Sequence, residues 1–76
     1  MSIIEFKVKI PSSKSGELQK QFLHQLMNEY GGCIKQTEDK NTFVCRCEGN
    51  FKDIEKQVQK IFIKGSVEYF VEYLQE

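Results

Sequence analysis

Near the start of the chain apolar and charged residues alternate. Ile4, Phe6, Val8 and Ile10 are separated by Glu5, Lys7 and Lys9. A period of two marks a strand with one buried face, and Pro11, which has no N–H to give a ladder, closes it. Ser12 to Gly16 is a loop rich in helix-capping residues. The period then lengthens. Leu18, Phe22, Leu26 and Tyr30, with Leu23 and Met27 beside them, make the apolar stripe of a helix, and Gly31-Gly32 supplies its left-handed stop. Cys33 to Thr37 reads as a short strand with Ile34 facing inward, and Glu38 to Asn41 as a polar turn. From Thr42 to Glu48 the alternation returns, with Phe43, Cys45 and Cys47 on one face and Thr42, Val44 and Arg46 on the other. Asn50 can cap a second helix, with Asp53 three positions on. That helix buries Phe51, Ile54, Val58 and Ile61 or Phe62.

The last segment fits two periods. Val67, Tyr69, Val71 and Tyr73 alternate as in a strand, while Val67, Phe70, Val71 and Leu74 also share a helical face. Valine and aromatic residues favour the strand, and so does the order of the preceding elements, because strand-helix-strand-strand-helix needs one more strand to complete the split unit. The result resembles the ferredoxin-like plait, an α+β fold with a four-stranded antiparallel sheet and two helices on one face. That resemblance implies central first and third strands, edge second and fourth strands, and one open sheet face. Phe6, Phe22, Phe43, Ile54 and Val58 are the expected core.

Seventy-six residues without a linker or repeat predict one domain. A chain this short buries only about 60% of its unfolded surface, which leaves little material for a deep substrate cleft. Six Phe, three Tyr and a net charge of zero place it among folded chains. Neutrality also removes the long-range field that gathers nucleic acid, and the single arginine, Arg46, leaves little capacity for two-pronged phosphate contacts. Met1 to Ile4 shows no export signal. Cys33, Cys45 and Cys47 are an odd number of thiols, and two residues two apart on a strand do not easily bridge, so the reading is reduced thiols in the cytoplasm.

Catalytic and metal chemistry find little support. Cys45-x-Cys47 with Cys33 suggests a thiolate site, but two of these lie on the inward face with Phe43, where free cysteine packs as a small apolar residue. His24, the only histidine, falls on the far side of the first helix, so no base stands beside a cysteine nucleophile. Ser12 to Gly16 with Lys14 precedes a helix that can hold an anion, but its spacing is not that of a phosphate loop. The expectation is no enzyme, no metal and no cofactor.

Three families share this element order. Acylphosphatases place an arginine in the loop after the first strand, where this chain has Lys14. ACT-type regulatory domains resemble it at Gly16 and at Tyr30-Gly31-Gly32-Cys33-Ile34. That resemblance implies a dimer that senses a small molecule, although the acidic residue of their first loop is replaced by Ser13 and Lys14. RNA-recognition domains stack bases on aromatics of the central strands, and here Phe43 points inward. A basic stripe of Lys52, Lys56 and Lys60, with Lys64 beyond, lies opposite the buried face of the second helix. It is the candidate site for nucleic acid or an acidic partner.

The leading expectation is a non-catalytic protein-binding module, such as a small adaptor, inhibitor or complex subunit, that docks by strand addition at a sheet edge or through the open sheet face. Strand alternation places Phe70 and Leu74 on that open face with Val44, between Glu68 and Glu72, which can pair with Lys7 and Lys9 across strands. An edge strand bearing Phe70 and Leu74 without proline invites association. A homodimer or another protein engaged through the fourth strand is therefore expected.

Overall fold

The computed structural model describes residues 2–74, except for the side chains of Lys64 and Leu74. The elements run β1 (Ser2–Lys9), α1 (Lys14–Glu29), β2 (Cys33–Gln36), β3 (Thr42–Gly49), α2 (Phe51–Ile61), a 3-10 turn (Lys64–Ser66) and β4 (Val67–Leu74). The sheet order is β2-β3-β1-β4, with every pair antiparallel. This is the ferredoxin-like α+β plait. The ambiguous last segment is a strand along β1.

The core lies between the helices and one face of the sheet. Ile4, Phe6 and Val8 of β1 stand opposite Cys47, Cys45 and Phe43 of β3, and all six are buried. Leu23, Leu26 and Met27 of α1, together with Ile54, Val58 and Phe62 from α2 and its end, close over them. The helix signals work locally. Ser13 Oγ accepts from the N–H of Gly16 at 3.2 Å, and Asn50 Oδ1 accepts from the N–H of Asp53 at 3.2 Å. Gly31 takes φ +64°, the left-handed stop of α1. In the turn before β3, Asp39 accepts from the N–H of Asn41 and from the Thr42 hydroxyl. These two bonds, the first foremost, hold its carboxyl below the usual range and satisfy Thr42, a buried polar residue.

Two expectations need correction. Phe22 is not core: it is 52% exposed, and Leu18 is 54% exposed. The rotation of α1 is set by Gly16, whose backbone sits so close to Pro11 that a Cβ there would overlap the Pro11 carbonyl oxygen. With Gly16 turned inward, the buried line continues through Leu23, Leu26 and Met27. Phe22 moves round to the cleft facing α2, beside Gln25, Leu26, Gln57, Lys60 and Ile61.

Phe70 is the second correction. It stands opposite Phe6 and stacks on it, with ring centroids 5.2 Å apart, and meets Phe51 of α2 edge-to-face at 5.0 Å. It therefore faces the helices rather than the open sheet face. The cause is an irregularity in the β1–β4 register. Lys7 pairs with Tyr69 and Val8 with Val67, which leaves Glu68 as the extra residue of a bulge. The bulge lets Val67 and Phe70, three apart, both pack on the core.

Candidate functional site

The register turns the faces of β4 over relative to simple alternation. Tyr69, Val71 and Tyr73 pair with Lys7, Glu5 and Ile3, so they share the open face. Val44, opposite Lys7 on β3, is on that face as expected and is half-buried. Val71 is 36% and Tyr73 45% exposed. The open face is thus partly apolar, through Val44 as expected and through Val71 and Tyr73 in place of Phe70. Its polar groups are tied to one another. The Tyr69 hydroxyl donates to Glu5 at 3.1 Å, and burial first, then this bond, raise its pKa. The Arg46 guanidinium lies 5.8 Å from the centre of the Tyr73 ring, a cation–π contact across β1.

Glu68 bridges Lys7 at 3.4 Å and Lys9 at 3.8 Å, as anticipated. These exposed pairs contribute little to stability; their effect is to neutralise Glu68. Glu72 behaves differently. It pairs in register with Ile4, on the helix side, and borders a hollow with Ser2, Gly49, Asn50 and Phe51. Among the described residues it makes no ion pair with either lysine.

A groove of about 250 Å³ runs between α2 and β4, lined by Glu55, Val58, Gln59, Phe62, Val67, Tyr69 and Phe70. Sequence reasoning missed it, because it forms only where the bulge brings Val67 beside Phe70 under α2. The apolar pair at 67 and 70, three apart within a strand, was the available signal. Among the described residues, no strand lies beside the outer edge of β4 in the sheet.

Lys52, Lys56 and Lys60 are all exposed on α2, on a different part of the surface from the open sheet face. The structure does not bring them together with Val44. The side chains of Leu74 and Lys64 and all of Glu76 lie outside the described residues. No helix among the described residues is long and apolar enough to cross a membrane.

The thiols divide by burial. Cys45 and Cys47 are buried and Cys33 is exposed, all three unpaired. Among the described residues no cluster of His, Cys, Asp and Glu has the geometry to hold a metal ion. Burial pushes the Cys45 thiol from 9.0 up to about 12, and burial with the nearby Cys33 pushes Cys47 up to about 11. A raised thiol pKa means that the folded chain keeps a proton the unfolded chain releases. The stability this confers is complete below the unfolded pKa and is lost as pH rises through the folded values. The melting temperature is therefore expected to decline once pH passes about 9. An alkylating reagent at neutral pH should modify Cys33 alone until the chain is unfolded, and mass spectrometry of the labelled native protein checks this. Label on Cys45 in the native protein would contradict its burial.

No known protein family matches the chain, and no curated protein is detectably similar to it in sequence. The class that the structure establishes is the plait itself, a fold that hosts many unrelated functions.

Proposed function

We propose that this protein is a non-catalytic protein-binding module that engages its partner along β4. The supporting observation is the edge of that strand. Over eight residues, Val67–Leu74, β4 offers backbone groups on a side where no further strand of the sheet lies among the described residues. An open edge of this length is a template for strand addition. Apolar side chains flank it on both faces: Val71 and Tyr73 on the open sheet face, and the groove over Val67 and Phe70 on the helix side. The competing edge, β2, has only four residues and presents the exposed Cys33 and Lys35.

Affinity capture with matched baits tests this reading. A partner retained by the wild type should be lost with Val71→Glu, which places a charge on the edge strand without entering the core. It should be kept by Lys56→Glu, which alters only the basic stripe. The opposite pattern would transfer the function to the lysines of α2, and the salt dependence of nucleic-acid binding would then identify a phosphate backbone as the ligand.

A further inference from the structure

We infer that the partner along β4 is a second copy of this chain, paired antiparallel to it with Val71 opposite Val71. This inference rests on the β4 reading above. Two equal copies joined edge to edge are related by a two-fold axis. In an antiparallel pair that axis stands perpendicular to the sheet, and residues directly opposite each other share a face. The axis therefore falls at a residue and not between two. Regular pairing extends from Tyr69 to Leu74, because the bulge at Glu68 breaks the ladder before it. Charge selects the register within that stretch. Centring on Phe70 carries Glu72 of each copy to the bulge at Glu68 of the other, carboxylate toward carboxylate. Centring on Glu72 sets the two Glu72 side chains face to face, and like charges across strands are destabilising. Centring at either end of the stretch leaves only a short ladder among the described residues. Centring on Val71 avoids all of these, and the ladder then runs from Tyr69 to Tyr73 in both copies.

The Val71 register also joins surfaces that match. On the open face Tyr69 of each copy meets Tyr73 of the other, on both sides of the Val71 pair, and aromatic pairs across strands are stabilising. Both rings are already held, Tyr69 by its bond to Glu5 and Tyr73 by the Arg46 guanidinium, so little side-chain freedom is lost on pairing. On the helix side Glu72 of each copy comes opposite Phe70 of the other. Phe70 meets α2 at Phe51 and lines the groove with Glu55. Glu55 and the incoming Glu72 put negative charge there, and the exposed Lys52 and Lys56, which follow Phe51 and Glu55 in α2, offset it. Asp53, the other acid of that stretch, lies toward Tyr30 on the α1 side. Exposed charges contribute little on their own. The strand edges and tyrosines hold the pair, the lysines only remove a repulsion, and Lys52 remains to do so in Lys56→Glu. A strand pair of this length is a small interface, so the copies part on dilution and the monomer presents an open edge.

Sedimentation of the purified chain over a dilution series tests this. The wild type should move from the mass of one chain when dilute toward twice that mass at high micromolar concentration. Val71→Glu and Val71→Lys should each fold but stay monomeric, since each sets two like charges on the axis. An equal mixture of the two variants should recover the dimer, which requires position 71 to face position 71. In a Cys33→Ser background, Val71→Cys should form a disulfide-linked dimer in a glutathione redox buffer. Directly opposed residues have Cα atoms about 4.5–5.5 Å apart, within the span of a disulfide. Tyr69→Cys should not cross-link alone, but should do so when mixed with Tyr73→Cys. A wild type that is monomeric at every concentration, a dimer that survives Val71→Glu, or a mixture of the two charge variants that does not associate would overturn the inference. If the wild type is monomeric while Val71→Glu still abolishes capture of another protein, the edge remains the binding site and only the second copy is wrong. If Val71→Glu changes neither sedimentation nor capture, the β4 reading itself fails.

Discussion

Replacing Phe6 with alanine is expected to remove about 3–5 kcal/mol of stability, the usual cost of emptying a buried phenylalanine site. Phe6 has no exposed surface and sits on the central strand β1, between Cys45 on β3 and Phe70 on β4. Its ring stacks on Phe70, which in turn meets Phe51 of α2, so truncation loses an aromatic contact on top of the burial. A domain of this size has about 4–11 kcal/mol in total. The alanine variant should therefore be largely unfolded or melt far below the wild type, while Phe6→Leu should retain a cooperative transition. Urea denaturation followed by circular dichroism measures both. A loss below about 1 kcal/mol in Phe6→Ala would mean that the site collapses without cost, contrary to its position among four elements.

Gly16→Ala is expected to have the opposite sign from the usual rule. Inside a helix, alanine is favoured over glycine by about 1 kcal/mol. Here a Cβ would overlap the Pro11 carbonyl oxygen and stand 2.9 Å from its carbon. Both belong to backbone, and neither can swing away. Either α1 lifts off the end of β1 or the Pro11 loop shifts, at about 1–3 kcal/mol for overpacking of this kind. The melting temperature should fall, with a loosened first turn of α1 visible as faster exchange of the Gly16 and Glu17 amide protons. Gly65, with open space where its Cβ would stand, provides the control. Gly65→Ala should leave the melting temperature nearly unchanged or raise it slightly.

Gly16 also shows what the sequence could and could not reveal. Periodicity and turn residues located the first five elements, because strand alternation at Ile4–Ile10 and Phe43–Cys47 and the capping residues in Ser12 to Gly16 and at Asn50 act over a few neighbouring positions; β4 fitted two periods and was placed by composition and element order, and the 3-10 turn before it was not anticipated. Rotation of α1 about its own axis depends instead on a contact with Pro11 across the loop. Leu18 and Phe22 looked equivalent to Leu23 and Leu26 in the stripe, yet both are exposed, Phe22 at the α1–α2 cleft. The faces of β4 failed for a related reason. Alternation assumes an unbroken ladder, and one extra residue at Glu68 reverses every side chain beyond it. The conflict between strand and helix periods at Val67, Phe70 and Val71 was the local trace of that bulge: two apolar residues three apart both pack on the core, which a regular strand does not permit. The thiols were legible because Cys45 and Cys47 lie on a regular strand. The groove was not, because it exists only between α2 and the bulged start of β4.

The partner-binding account stands on the outer edge of β4, and amide hydrogen exchange tests it most directly. Measured on the free chain, the outward-facing N–H groups of Val67–Leu74 should exchange quickly, since no strand covers them, while those bonded to β1 exchange slowly. In the complex with the partner recovered by capture, the account predicts that the fast set becomes protected and that the amides of Lys52, Lys56 and Lys60 on the exposed stripe are unchanged. Protection confined to that lysine face, with the edge of β4 still exchanging freely, would contradict it.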